Sequence, residues 1–112
     1  MDLKELGPKL ERVMGIVPVC EGVILAKISG KVIIGQTLTE MDHAAISKKV
    51  AEIFQISIEK VDKGPLVDLT LGMEKGVVLA VKKGDDMLIG ILGSDGMSSV
   101  GLLLRQLKNI MK

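Results

Sequence analysis

Apolar residues recur along the 112-residue chain at two spacings, and the switching between them predicts its elements. Leu3, Leu6, Leu10, Val13 and Met14 repeat at helical spacing and predict a first helix ending near Gly15. Pro8 is tolerable there because it lies near the helix start, where a missing N–H matters little. Gly22 to Ile28 and Lys31 to Thr37 are apolar runs divided by Ser29 and Gly30, the pattern of a hairpin. A long helix is expected from about Asp42, capped by Thr39 or Asp42 and stopped by Gly64 and Pro65. Leu66 to Leu71, Val77 to Lys82 and Met87 to Leu92 then read as strands, joined too closely for anything but an antiparallel meander. Val100, Leu103, Leu104, Leu107 and Met111 form the stripe of a last amphipathic helix, capped by Asp95 or Ser98.

The order is αββαβββα, and the strands rank by how much of each must be buried. Val23 to Ala26, Val77 to Val81 and Met87 to Leu92 are apolar on both alternating faces and belong at the centre. Leu66 to Leu71 carries Asp68 and Thr70, and Lys31 to Thr37 ends in Gly35 and Gln36, so these two suit the edges. The expected class is α/β of the α+β kind: one domain over residues 1–112, a five-stranded, mainly antiparallel sheet in order 2-1-5-4-3, and helices on both faces.

The second helix has an apolar arc too wide for a sheet alone. Ile46, Val50, Ile53, Ser57 and Val61 form one stripe, with His43 and Phe54 beside it. Ala44, Ala51 and Ile58, seven residues apart, add a second seam, so the arc spans roughly half the circumference against the ~100° of a surface helix. Antiparallel pairing with the same helix of another copy would cover it through a symmetric interface. The alternative is cover by the first or last helix, or by a loop of the same chain. The strand at Leu66 to Leu71 supports the dimer, because an edge bearing one charge, Asp68, is open to pairing.

Composition narrows the function. Fifteen Lys and Arg against fourteen Asp and Glu are scattered along the chain, which argues against nucleic acid. With one Phe and no Trp or Tyr, the aromatic platforms that stack bases are missing as well. Asp2, Lys4 and Glu5 break up the first residues, so no secretory signal is expected, and no apolar run reaches the length of a membrane span. A cytoplasmic protein without membrane insertion is expected. His43 has no second ligand at metal spacing, and Cys20 is read as a small buried hydrophobe. Gly90, Gly93, Gly96 and Gly101 lack the Gly-Lys-Ser/Thr of a phosphate loop. Asp85 and Asp86 point apart and Asp95 is best used as a cap, so no carboxylate pair is set for acid and base work. Seven Met residues read as adaptable core and rim fillers, with a Met-rich binding surface as the alternative. No catalysis, metal or cofactor is expected.

Two passages then carry a resemblance. A leucine helix leads into Val17-Pro18-Val19-Cys20-Glu21-Gly22-Val23-Ile24-Leu25 and, through Ser29-Gly30, into Val32-Ile33-Ile34. The chain closes in Gly90-Ile91-Leu92, a short polar loop and Val100-Gly101-Leu102-Leu103-Leu104-Arg105. These resemble the Roadblock family, the dynein light chain and Ragulator type of domain, with Cys20 and Pro8 as departures from its usual pattern. The resemblance implies a profilin-like fold and a homodimer, or a dimer with a paralogue, in which third strands join into one sheet and second helices pack together. It further implies a non-catalytic adaptor or regulator of small Ras-like GTPases. Dimer contacts would come from Ala44, Ala51, Phe54, Ile58 and the strand Leu66, Val67, Asp68, Leu69, Thr70 and Leu71. Lys48, Glu52, Gln55 and Glu59 would face solvent or a partner. A small-molecule-sensing or structural scaffold module of the same fold is the alternative.

Overall fold

The computed structural model describes residues 3–56 and 62–111. The elements run α1 (Leu3–Ile16), β1 (Cys20–Lys27), β2 (Val32–Thr37), α2 (His43–Phe54), β3 (Asp68–Met73), β4 (Gly76–Lys83), β5 (Asp86–Leu92) and α3 (Val100–Ile110), with a 3-10 turn at Gly96–Ser99 leading into α3. All strand pairs are antiparallel, in the order β2-β1-β5-β4-β3. The α+β class and the predicted strand order therefore hold. The three doubly apolar runs are the inner strands.

Alternation along the inner strands builds two cores. Val23, Leu25, Val77, Leu79, Val81, Leu88 and Leu92 point to one face, where they meet Leu6, Leu10 and Val13 of α1 and Leu103 and Leu107 of α3. Ile24, Ala26, Ala80, Met87, Ile89 and Ile91 point to the other, where Val50, Ala51 and Phe54 of α2 cover them. Gly90 is a point of close approach on the first face: a Cβ there would lie 2.6 Å from Leu103 Cδ2. Its absence lets α3 seat Leu103 and Leu107, both fully buried, directly on β5.

Three boundaries differ from the sequence expectation. The second helix ends at Phe54, not near Gly64. Gln55 N–H and Ile56 N–H donate three residues back, to Glu52 and Ile53, which tightens and closes the last turn. Ser57, Ile58, Glu59 and Val61, assigned to this helix from the sequence, lie outside the described residues. The third strand begins at Asp68 rather than Leu66, because the Glu74-Lys75 loop aligns Met73 with Gly76 and Asp68 with Val81. Val67 stays attached through its carbonyl, which accepts from Lys82 N–H at 2.9 Å.

The third difference is in the caps. Asp42 caps α2 as expected, its carboxylate accepting from Ala45 N–H at 3.0 Å. Neither Asp95 nor Ser98 caps α3. Asp95 sits in the left-handed region at φ 67° without a side-chain cap bond, Ser98 Oγ donates to the Asp95 carbonyl, and Ser99 holds the cap position. The 3-10 turn runs straight into the helix and supplies its first acceptor, the Met97 carbonyl, to Val100 N–H.

Candidate protein interface

The orientation of α2 sets what the molecule presents on its second face. Its first turn is fixed by His43, whose Nε2 lies 3.0 Å from Thr37 Oγ1. That hydroxyl already donates its one hydrogen to the Thr39 carbonyl at 2.7 Å, so it accepts from His43 and the imidazole carries a proton on Nε2. The other ring nitrogen lies against Gly35, where a Cβ would come within 2.7 Å. His43 is thus a structural residue that locks α2 to β2.

From this anchor α2 turns Ser47, Val50, Ala51 and Phe54 toward the sheet, at i, i+3, i+4 and i+7. Ala51 and Phe54 are only 5% and 6% exposed within one chain, so both are sheet contacts rather than free dimer surface. The seam drawn through Ala44, Ala51 and Ile58 is not a continuous surface: Ala44 is exposed, Ala51 is covered, and Ile58 lies outside the described residues. Ile46 and Ile53, expected against the sheet, are half-buried on its flank. The physical reason is Ser47, small enough to sit at the centre of the contact. Its Oγ is fully buried and has no hydrogen-bond partner. Lys48, Glu52 and Gln55 are exposed, with Lys49 within 3.4 Å of Glu52, and Glu59 lies outside the described residues.

The two sheet edges differ in protection. Both α1 and α2 pack against β2, whereas α3 packs on β4 and reaches β3 through an ion pair of 3.3 Å between Lys108 and Asp68. Along β3, Leu69 is buried, Leu71 is half-buried and Thr70 is exposed. Just before it, Leu66 is half-buried and Val67 is 60% exposed. Because α2 lies over β1 and β2 and ends at Phe54, the same face over β4 and β3 keeps Leu71 and Val78 half-buried against the second core, as is Ile53. A groove of about 280 Å³ lined by Ile56, Lys63, Pro65, Leu66 and Val67 continues this apolar lane.

Chemical groups offer little beside it. Among the described residues no cluster of His, Cys, Asp or Glu could hold a metal ion, and no helix is long and apolar enough to cross a membrane. Cys20 is buried, and burial, with Glu21 beside it adding in the same direction, pushes its thiol above the ordinary range.

No protein-family model and no curated protein matches the sequence. Solved structures match its shape. Myxococcus xanthus MglB superposes with a TM-score of 0.80 at 14% identity, covering 97% of this chain and 90% of that one. A Roadblock/LC7 domain from Streptomyces avermitilis superposes with 0.69 at 12% identity, covering 93% and 96%. The fold is Roadblock-like. A LokiProfilin2 structure, solved with rabbit actin, also superposes, with 0.65 at 13% identity over 97% and 93% of the two chains, in keeping with a profilin-like sheet. Gly22 admits the Thr37 methyl, 2.6 Å from where its Cβ would stand, while Gly101 faces open space.

Proposed function

We propose that this Roadblock-like chain is a non-enzymatic dimeric adaptor that binds a small Ras-like GTPase. The observation that supports it is the uneven roofing of the second sheet face. α2 leaves an apolar lane of Ile53, Leu66, Leu71 and Val78 bounded on one side by the open β3 edge. A second copy related by a two-fold axis would lay its own α2 region along this lane and its β3 beside this one, with identical contacts both ways. The tetrameric arrangement of an MglB structure of the same fold is in keeping with self-association. The GTPase comes from the family resemblance.

Light scattering is expected to give about 24 kDa, twice the 12.0 kDa chain. Val67→Asp, at an exposed position, and Leu71→Glu are expected to give folded monomer. A wild-type monomer, or variants that still dimerise fully, would sink the dimer. Calorimetry against the Ras-like GTPases of the same genome, in both nucleotide states, tests the adaptor role; no binding to any of them would overturn it.

A further inference from the structure

Among the described residues, seven large apolar side chains are exposed, and three of them, Ile56, Val67 and Met73, border the face already assigned to the second copy. The other four, Ile16, Val19, Leu38 and Met97, are 47%, 48%, 69% and 64% exposed and gather at one end of the sheet. Backbone bonds hold them together: Leu38 N–H donates to the Glu21 carbonyl at 2.8 Å, and Gly93 N–H donates to the Val19 carbonyl at 2.9 Å. Met97 follows on the 3-10 turn, which Gly96 N–H ties to the Gly93 carbonyl at 3.0 Å. Ile16 ends α1, three residues before Val19.

Val19 stands at φ 55°. A β-branched residue in the left-handed region is a rare and strained choice where Gly, Asn or Asp would fit. The strain brings little packing in return, since about half of the side chain is in water.

We propose that this apolar rim docks a protein segment that pairs an apolar face with arginine or lysine. The charge around the rim selects that chemistry. The connecting segments at this end carry four carboxylates, Glu40, Asp42, Glu74 and Asp95, and the start of β1 adds a fifth, Glu21, against one cation, Lys75, in a chain whose net charge is +1. None of the five is ion-paired among the described residues. Glu21 is set where the absence of a Gly93 side chain makes room: a Cβ there would lie 2.5 Å from Glu21 Oε2. A basic side chain can lay its aliphatic stem on the exposed Leu38, whose N–H is bonded to the Glu21 carbonyl, and its charge on Glu21. An anionic membrane is disfavoured by the same five carboxylates.

The probe is a helical peptide with a leucine face flanked by arginines, titrated by fluorescence anisotropy, beside its counterpart with glutamates for arginines. Binding of the arginine peptide is expected to weaken at least tenfold in Leu38→Ser/Met97→Ser and in Glu21→Gln. The glutamate peptide is expected not to bind. Val19→Asn, which suits the left-handed backbone, is expected to melt no lower than wild type and yet bind more weakly, a separation that a purely structural Val19 would not show. No binding, equal binding of the two peptides, or binding indifferent to these variants would refute the proposal. So would a larger assembly dissolved by Leu38→Ser/Met97→Ser, which would make a second copy the occupant, or retention on phosphatidylserine vesicles lost in that variant, which would make it lipid.

Discussion

Ser47 and His43 show how single polar residues place α2. His43 has its partner in Thr37, whereas the Ser47 hydroxyl is buried among Val50, Ala51 and Phe54 with none. A buried hydroxyl without a hydrogen bond costs about 1–3 kcal/mol. Ser47→Ala keeps the small volume that lets α2 lie close and removes the unpaired oxygen. It is expected to raise stability by about 1 kcal/mol, read as a melting temperature higher by roughly 4–8 °C in calorimetry. An unchanged or lower melting temperature would mean that the hydroxyl is satisfied in solution. Ser47 also explains why the roll of α2 was hard to foresee. The sequence stripe was centred on the largest residues, Ile46, Val50 and Ile53, while the helix packs through a set whose central member is polar. Ser47, Val50, Ala51 and Phe54 do stand at helical spacing, so the signal was present but outweighed by hydropathy.

At the level of elements the strands were the most legible, because burial on two faces demands apolar residues at every position and burial on one face does not. Val23 to Ala26, Val77 to Val81 and Met87 to Leu92 met that demand and proved to be the centre of the sheet. Helix ends were less legible. Gly64 and Pro65 are strong stop signals, yet α2 stops at Phe54, where three-residue-back bonds close it without either residue. The sequence points to a dimer surface made of the β3 edge and an α2 seam, and within one chain two residues of that seam, Ala51 and Phe54, are covered by the sheet. The contact of α3 with β5 rests on Gly90. A methyl group there would press Leu103 and Leu107 off the sheet, since its carbon would stand 2.6 Å from Leu103 Cδ2. Gly90→Ala is expected to cost about 1–3 kcal/mol, the usual range for overpacking a core. Urea unfolding should show the midpoint fall with its slope unchanged; a midpoint equal to wild type would mean that α3 is seated less closely than the structure has it.

At the scale of the whole molecule, two surfaces of different character share one small sheet, and salt should tell them apart. The lane along Ile53, Leu66, Leu71 and Val78 is apolar, so the proposed dimer draws its stability from area removed from water, a contribution that does not weaken as ions are added. The rim at the other side is apolar at its centre but ringed by five carboxylates that make no ion pair among the described residues. Charges of this kind act over a Debye length of about 10 Å at 0.1 M salt and about 3 Å at 1 M. Raising NaCl from about 0.05 M to about 0.5 M, a range over which that length falls severalfold, is therefore expected to leave the molar mass by light scattering at the dimer value. Over the same range the affinity for the arginine-bearing peptide should fall markedly. A dimer that dissociates with salt would move the interface away from the apolar lane toward charged residues. Peptide binding indifferent to salt would remove the carboxylates from recognition at the rim and leave its apolar residues as the whole of the contact.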